Sequence, residues 1–372
     1  MVIGVLKEVK DNEFRVAAIP ATVQEIVRHG HTVYVETGAG TGSGFPDAEY
    51  EAAGAIIADC ETVWEKADLY YKVKELFPQE YKWMADDKIL FTYIHSNAHP
   101  EETDVLLNSH VSAVAYEDVQ DENGGFPLLR PMSELAGKGG FLAALYYSQA
   151  VHGGNGKLLA NVAGVNAPVI TILGCGCTGL GVAELAGAFG NTVRILDVNI
   201  NAMLAAQRTL PGNVSFLMSN RANLEACLTD SDVVFNCINW PKFRKDHVIY
   251  REDLRLMKPG ALIVDVACDD EGAIETCRST THTDPVYTID GITHYCVDNI
   301  PSAFSQTASV TLANATLPYL LQIAEKGFKQ AVKDNPLLRK GMTCCDGKLT
   351  LQETALKQDR LWTDAETLVK TW

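Results

Sequence analysis

The first third of the chain alternates short apolar runs with amphipathic segments. Positions 2–6 form an apolar run, and PATVQEIVRHG then spaces its apolar residues like one face of a helix and stops at Gly30. The segment HTVYVET follows directly as a second strand candidate, and this order is typical of a parallel βαβ unit. Further strands are predicted in ADLYYKVK (67–74), ILFTYIH (89–95) and VSAVAYED (111–118). The pattern predicts an open α/β domain.

A second series with the same rhythm begins after the polar turn QDENGG (120–125). A helix is predicted over 132–151, and the glycine-rich GGNGKLLANVAG then leads into the apolar run PVITIL (168–173). Strands are predicted at regular intervals after it, in NTVRILDVN, NVSFLMS, SDVVFNCI, GALIVDVACD and THYCVDN. This complete βαβ series predicts a doubly wound parallel sheet.

From Phe304 onward the pattern is helical, with no strand period left. A long amphipathic tail must bury its apolar face, and the first domain offers the surface because the second is already complete. The sequence therefore predicts an α/β fold in which one domain, residues 129–305, is inserted into a discontinuous domain of residues 1–128 and 306–372.

Charge and composition narrow the possible environments. Lys and Arg together number 31 against 47 Asp and Glu, a net charge of −16, and no basic run is present. These features argue against binding to nucleic acid or to an anionic membrane surface. The N-terminal segment lacks the apolar core of an export signal, and no stretch of about 18 uncharged apolar residues could span a bilayer. We expect a cytoplasmic protein.

The ten cysteines do not form a disulfide or zinc pattern. Several lie inside apolar strand candidates, such as Cys237 and Cys268, and there is no CxxC or repeated Cys/His spacing. We expect reduced and mostly buried thiols, and no metal site.

The inserted domain carries a glycine motif in a specific context. PVITIL runs directly into the sequence from Gly174 through Gly176 to Gly179, a helix-like segment follows, and the next strand ends in Asp197, 23 positions after Gly174. In this order the glycines allow a tight turn, close approach of a pyrophosphate and close helix packing. Asp197 would accept hydrogen bonds from the ribose hydroxyls and repel a 2′-phosphate, which favours NAD over NADP. The alternative is a glycine turn that binds no nucleotide.

Polar residues at predicted strand ends are the catalytic candidates. Lys74 and His95 end strand candidates of the first domain, Asp269 ends one of the inserted domain, and Arg15 lies just beyond the first strand. Ligands of open α/β sheets bind at the carboxyl ends of the strands. Each residue also has an ordinary interpretation, a solvated charge or a structural histidine. Spacing alone does not show that the four converge.

Motifs along the whole chain resemble the alanine dehydrogenases and, more distantly, the nicotinamide nucleotide transhydrogenase α-subunits. The motifs are KEVKDNEFRVAAIPATV, ADLYYKVKE, ILFTYIH, PMSELAG, ILGCGCTGLG, ILDVN, MKPGALIVDVACD, CVDNIPSAFSQTAS and LANATLPYLLQIA. The resemblance implies two Rossmann-like domains, with the NAD domain inserted into the substrate domain. It also implies a homo-oligomer, a hexamer, that acts on small amino-acid and oxo-acid substrates.

The resemblance also implies roles for individual residues. Arg15 and Lys74 would bind the substrate carboxylate, Met132 would line the substrate pocket, and His95 and Asp269 would be the acid/base pair. The implied cofactor-binding residues are Ser133, Gly174, Gly176, Thr178, Gly179, Asp197, Ser219, Ile238, Asp269 and Asn299. The chemistry would be NAD-dependent oxidation of L-alanine to pyruvate and ammonia, and the reverse amination.

Three segments depart from the family pattern: SNAHPE after His95, DEGAIE after VDVACD, and the loop 240–245 with Trp240, Lys242, Arg244 and Lys245. The sequence IETCRSTT (274–281), which overlaps the end of the second segment, resembles N5-(carboxyethyl)ornithine synthase. An opine-type synthase that condenses pyruvate with a diamino acid such as ornithine is therefore an alternative. A non-enzymatic NAD-binding protein and a transhydrogenase are weaker alternatives. The basic loop is either a solvated surface loop or a cover for a larger substrate.

Overall fold

The computed structural model describes residues 1–241, 244–268 and 272–372. The chain divides into two compact units: unit 1 comprises Met1–Met132 and Phe304–Trp372, and unit 2 comprises Ser133–Ala303. These limits lie a few residues from the boundaries that the hydrophobic pattern suggested.

The strands and helices are as follows in chain order. The strands are β1 (Val2–Val5), β2 (Thr32–Glu36), β3 (Ile56–Ala58), β4 (Leu69–Tyr71), β5 (Ile89–Thr92), β6 (Ser112–Ala115), β7 (Val169–Leu173), β8 (Thr192–Asp197), β9 (Val214–Met218), β10 (Val233–Asn236), β11 (Leu262–Asp265), β12 (Val286–Ile289), β13 (Ile292–Tyr295), β14 (Met342–Cys345) and β15 (Lys348–Leu349). The α-helices are α1 (Pro20–Arg28), α2 (Asp47–Ala52), α3 (Cys60–Lys66), α4 (Pro100–Asn108), α5 (Arg130–Tyr147), α6 (Cys177–Ala188), α7 (Ile200–Gln207), α8 (Arg221–Asp230), α9 (Ser305–Lys326), α10 (Phe328–Asp334), α11 (Pro336–Gly341), α12 (Gln352–Gln358) and α13 (Ala365–Val369). Short 3₁₀ helices lie at Thr41–Ser43, Tyr81–Trp83, Ser96–Ala98, Tyr116–Asp118, Ala150–His152, Arg251–Leu256 and Ile300–Phe304.

Unit 1 is built on an eight-stranded sheet of order β15-β14-β6-β5-β4-β1-β2-β3. The strands from β6 to β3 in this order are parallel, whereas β14 and β15 add to the β6 edge as antiparallel strands. The central strands β4 and β5 are buried along their whole length, because helices cover both faces of a parallel sheet.

Unit 2 is built on a seven-stranded sheet of order β12-β13-β11-β10-β7-β8-β9. All pairs are parallel except the β12–β13 edge. The chain runs outward from β7 through β8 to β9 and then returns to β10 on the other side of β7. A crevice therefore opens at the carboxyl ends of β7 and β10, which is the usual ligand position of this fold. The predicted fold class, with two sheets dominated by parallel strands, is confirmed.

Two sequence predictions about this fold are wrong. The tail after Phe304 is not purely helical, since β14 and β15 form a hairpin whose turn residues Asp346 and Gly347 both have positive φ. The long helical pattern is also interrupted, because Gly327 adopts φ +77° and ψ 158° and ends α9 there. The strands β3 and β12, at the sheet edges, were not predicted either.

Two further features concern the described residues alone. No helix among them is long and apolar enough to cross a membrane. Most of the cysteines are buried, as predicted, and Cys60 is exposed.

Candidate active site

The glycine motif of unit 2 forms the loop between β7 and α6. Gly174 has φ +102°, and a Cβ placed on it would lie 2.8 Å from the carbonyl oxygen of Cys237, at the end of β10. A Cβ on Gly179 would lie 2.0 Å from the carbonyl oxygen of Gly174, so the first turn of α6 packs directly on the loop. By contrast, no atom of the described residues lies within 4 Å of a Cβ on Gly176. The loop is therefore close-packed on the protein side and open at Gly176, just before the N-terminus of α6.

Asp197 ends β8 beside this loop. Its carboxylate accepts hydrogen bonds from the backbone N–H groups of Cys175, at 2.6 Å, and Asn199, at 2.7 Å. These bonds fix the carboxylate against the glycine loop. A carboxylate has about four acceptor positions, so the group retains capacity for ribose hydroxyls.

The remaining predicted cofactor residues of unit 2 lie as follows. Ser219 follows β9, and its N–H donates to the carbonyl of Asp197 at 2.9 Å. Ile238 follows β10, and its N–H donates to the side chain of Asn236 at 3.2 Å. Gly174, Asp197, Ser219 and Ile238 thus mark the carboxyl ends of four neighbouring parallel strands and share one edge of the sheet.

Three predicted cofactor residues lie away from these strand ends. Thr178 lies in the first turn of α6, Ser133 lies in α5, and Asn299 is buried after β13. The backbone carbonyl of Asn299 accepts a hydrogen bond from His282 Nε2 at 2.9 Å. Asp269 lies outside the described residues. In the loop 240–245, Lys242 also lies outside them, whereas Arg244 is exposed and stacks on the half-buried ring of Trp240 at 4.1 Å.

In unit 1, Arg15 is buried and held in a fixed orientation. Its Nε and Nη2 atoms donate to both carboxylate oxygens of Glu13, and its Nη1 lies 3.3 Å from Met132 Sδ. Burial opposes the charged form of Arg15, but the Glu13 carboxylate outweighs this effect, so the pKa of Arg15 lies above its usual value. The structure thus brings the predicted substrate residues Arg15 and Met132 together.

Lys74 is buried in the segment that follows β4. Its Nζ lies 3.9 Å from the carboxylate of Glu75. Burial lowers the pKa of Lys74, and Arg15 contributes a repulsive charge in the same direction. Burial raises the pKa of Glu75, but the charges of Lys74 and Lys10 outweigh it and lower the pKa to about 2. The cation is therefore kept in a largely dry environment beside one anion.

A network of buried charges fixes the backbone around Lys74. Lys72 is fully buried and pairs with Glu8, at 3.3 Å, and with Glu80, at 2.7 Å. The Glu8 carboxylate also accepts a hydrogen bond from the N–H of Val73 at 2.6 Å. Since Val73 precedes Lys74, this network positions the lysine.

His95 lies shortly after β5 and has a left-handed backbone with φ 51°. The Glu117 carboxylate accepts a hydrogen bond from the N–H of His95, and its Oε1 lies 3.6 Å from Nδ1 of the imidazole. Tyr93 lies parallel to the imidazole with ring centroids 5.9 Å apart. Partial burial, followed by the charge of Lys74, lowers the pKa of His95, whose side chain remains 40% exposed, so the neutral imidazole predominates near pH 7.

Glu117 belongs to this cluster but was absent from the sequence predictions. Burial raises its pKa to about 7, against the effect of the N–H groups of His95 and Ile94 that donate to it. The sequence does contain a signal for Glu117, because this residue directly follows the apolar strand run VSAVAY. Lys74 and His95 were predicted from the same position at the ends of their strand runs. In unit 1, therefore, the charges of Arg15, Lys74 and His95 influence one another, and Met132 contacts Arg15. Glu117 joins this cluster beside His95.

Comparisons with known proteins agree along the whole chain. The family models for the alanine dehydrogenase/PNT N-terminal and C-terminal domains match residues 4–136 and 141–352. An alanine dehydrogenase of Methanococcus maripaludis is 42% identical over 98% of this chain and 99% of its own length. One of Geobacillus stearothermophilus is 40% identical over 99% and 100%, respectively.

Solved structures give the same result. An L-alanine dehydrogenase has a TM-score of 0.90 at 36% identity, covering 96% of this chain and 99% of its own. A transhydrogenase from Sinorhizobium meliloti, with a TM-score of 0.78 at 23% identity over 95% of this chain and 99% of its own, shares the fold. The resemblance that the motifs predicted is confirmed. The chain belongs to the alanine dehydrogenase/PNT family.

Proposed function

We propose that this protein is an NAD-dependent amino-acid dehydrogenase that oxidises L-alanine to pyruvate and ammonia and catalyses the reverse amination. The observation that carries the proposal is the unit 1 cluster of Arg15, Lys74, His95 and Met132, in a chain whose full-length relatives are alanine dehydrogenases. In the deaminating direction the reaction serves amino-acid catabolism.

NAD is the cofactor, and the residues of unit 2 suit it. The open space at Gly176 leaves room for a pyrophosphate, and the N-terminus of α6 favours its negative charge. Asp197 is placed for the ribose hydroxyls. The other residues proposed to hold NAD are Ser133, Gly174, Thr178, Gly179, Ser219, Ile238, Asp269 and Asn299. When bound, NAD supplies the hydride acceptor for the substrate Cα.

Arg15 and Lys74 hold the substrate carboxylate. Two cations suit one carboxylate, and a guanidinium whose plane is fixed by Glu13 offers it directional hydrogen bonds. Met132 Sδ touches this guanidinium, so the wall beside the carboxylate is soft and apolar, which suits the methyl group of alanine.

His95 moves the proton. Deamination requires water to add to the substrate imine, and a neutral imidazole can accept the proton that this addition releases. Burial and Lys74 keep His95 neutral, and Glu117 fixes its backbone. Asp269 is proposed, from the family resemblance alone, as its acid/base partner.

Alanine variants test these roles by steady-state oxidation of NADH with pyruvate and ammonia. His95→Ala should abolish most turnover while NADH still binds, and Arg15→Ala and Lys74→Ala should chiefly raise KM for pyruvate. Arg28→Ala, at an exposed residue of α1, is the control and should behave like the wild type. Wild-type kinetics in any of the three variants would remove that residue from the site.

The same assay separates the substrate alternatives. Ammonia should be required, and ornithine or lysine should not replace it. An N-carboxyethyl amino acid in the product mass spectrum would assign the protein to the opine-type synthases instead.

We also propose a homo-oligomer, a hexamer by family resemblance, that works in the cytoplasm. Exposed apolar side chains concentrate in one stretch of unit 2: Leu142, Tyr146, Val151, Leu158, Val162 and Val165. Exposed apolar side chains concentrated in one region are typical of an interface, and we expect a second copy of the chain to cover them. The ten free thiols of the protein suit a reducing compartment such as the cytoplasm. Light scattering during gel filtration would contradict the assembly if it gave the monomer mass.

A further inference from the structure

Cysteines from separate segments meet at the carboxyl edge of the unit 2 sheet. Cys268 follows β11, Cys296 follows β13, and Cys277 lies in the segment between them. The strands β11 and β13 are parallel neighbours in which Val264 pairs with Tyr295, so their carboxyl ends are adjacent. We call these residues the thiol cluster.

The sulfur atoms of the thiol cluster interact with one another. Cys277 and Cys296 belong to one core cluster of unit 2, Cys268 packs against it, and Cys296 Sγ lies 3.5 Å from the hydroxyl of Tyr287. Hydrogen bonding from Cys268, followed by that from Cys277, lowers the pKa of the Cys296 thiol, whereas burial raises the pKa of Cys277. The buried carboxylate of Asp265 is a second acceptor for the single thiol hydrogen of Cys277.

Access to solvent differs among the members of the thiol cluster. Cys296 is 0% exposed and Cys277 is 8% exposed, whereas Cys268 is partly exposed. An oxidant from solution therefore reaches Cys268 first, and Cys296 is the hydrogen-bonded neighbour that can react next. Redox-sensing cysteines are typically an accessible thiol beside a resolving one.

We propose that Cys268 and Cys296 are a peroxide-responsive pair in which oxidation of Cys268 is resolved by Cys296 to a disulfide. Cys268 loses its proton to solvent, and its thiolate attacks one peroxide oxygen. The O–O bond breaks, one water leaves after protonation, and Cys268 becomes a sulfenic acid. The Cys296 sulfur then attacks the Cys268 sulfur, the S–O bond breaks, and hydroxide leaves with the Cys296 proton as a second water. Peroxide is reduced and both thiols are oxidised.

The disulfide also has a consequence for activity. The two sulfur atoms must close from hydrogen-bonding distance to about 2.05 Å. Cys296 is held at the end of β13, between β11 and β12, so the movement falls on the segment of Cys268. Asp269 is the next residue in the sequence. This consequence rests on the proposed role of Asp269, whereas formation of the disulfide does not.

The test uses the full-length enzyme with equimolar hydrogen peroxide, followed by alkylation of the remaining thiols, intact mass and peptide mapping. The wild type should lose the mass of two hydrogen atoms, give a cross-linked peptide pair containing Cys268 and Cys296, and lose most of its NADH-dependent activity. Dithiothreitol should restore both. Cys60→Ser, at an exposed cysteine of unit 1, is the control and should respond like the wild type.

Cysteine variants identify which two thiols form the disulfide. Cys268→Ser and Cys296→Ala should form no disulfide and should keep their activity after peroxide, whereas Cys277→Ser should still form the disulfide. If Cys296→Ala does not fold, Cys268→Ser and the wild-type peptide map decide. A cross-link to Cys277, a terminal sulfinic acid at Cys268, or unreacted thiols would overturn the pairing. A mapped Cys268–Cys296 disulfide with full activity would overturn only the consequence for Asp269.

Discussion

Gly176 and Gly179 should respond in opposite ways to the same substitution by alanine. They lie three positions apart in the loop and first turn between β7 and α6. A Cβ on Gly179 would lie 2.0 Å from the carbonyl oxygen of Gly174, whereas ordinary contacts begin at 3.4 Å. The backbone must therefore shift by about 1.4 Å. Such overpacking costs about 1–3 kcal/mol, and the helix propensity of alanine offsets up to about 1 kcal/mol of it.

We expect Gly179→Ala to lose about 2 kcal/mol of stability and thus about 4–8 °C in Tm for a domain of this size. Gly176 has φ −83° and ψ −174°, which alanine adopts readily, and its Cβ would touch no atom of residues 1–241, 244–268 and 272–372. Gly176→Ala should keep the wild-type Tm. Its methyl group fills the space proposed for the pyrophosphate, so the Kd for NADH should rise about tenfold or more, equivalent to about 1.4 kcal/mol.

Differential scanning calorimetry without nucleotide and titration of NADH fluorescence measure the two effects separately. A wild-type Tm in Gly179→Ala would refute the close packing of α6 on the loop. Wild-type NADH affinity in a stable Gly176→Ala would refute the location of the pyrophosphate.

Three other substitutions test single features of the site. Asp197→Ala should raise kcat/KM for NADP relative to NAD, because it removes a charge that repels the 2′-phosphate; an unchanged ratio in steady-state assays would contradict that role. Burial raises the pKa of Glu117 from 4.5 to about 7, so the folded state holds a proton that the unfolded state has released. The stability from this group is present below pH 4.5 and is lost as pH rises through 7. In urea unfolding, the free energy of unfolding of Glu117→Gln should therefore rise relative to that of the wild type by up to about 1.4 kcal/mol per pH unit between pH 5 and 7. A difference between the two proteins that does not change with pH would contradict the raised pKa. Lys72→Met should lower the free energy of unfolding by about 3–5 kcal/mol in the same assay because it leaves two buried carboxylates uncompensated. Lys326→Met, at an exposed pair, is the control and should leave the free energy of unfolding unchanged.

The sheets were predictable because parallel strands that are covered on both faces consist of continuous apolar residues. Val169–Leu173 is such a strand apart from Thr171, and its position directly before a glycine motif predicted the nucleotide site. The same reasoning located Lys74 and His95, since polar residues that end apolar strands lie at the ligand edge of the sheet.

The hairpin of β14 and β15 was missed for a different reason. Its Asp346-Gly347 turn is a strong local hairpin signal. However, the partner of Met342–Cys345 is Ser112–Ala115, more than two hundred residues earlier in the chain. Local periodicity does not reveal such a partner, so the short strand was absorbed into the helical pattern that precedes it.

Glu117 belongs to the part of the site that the sequence predictions did not include, the buried carboxylates that orient other residues. Its carboxylate acts on the backbone of His95, and its position after a strand run is the signal for it in the sequence. Glu8 likewise acts on the backbone, since it positions Lys74 through the N–H of Val73. Sequence identifies the groups that contact a substrate more readily than the buried carboxylates that orient them.

The cations proposed to bind the substrate each have an anion as neighbour. Glu13 pairs with Arg15, and Glu75 lies beside Lys74 and pairs with Lys10 at 3.1 Å, so both substrate cations are partly neutralised. Their net charge is therefore a weakened source of carboxylate affinity, and we expect directional hydrogen bonds from the fixed guanidinium to supply much of it. Arg15→Lys keeps the positive charge but removes the planar guanidinium, whose paired N–H groups can bind both carboxylate oxygens. We expect it to raise KM for pyruvate nearly as much as Arg15→Ala, with little dependence on ionic strength. A lysine variant with wild-type KM in the steady-state assay would instead show that charge alone binds the substrate.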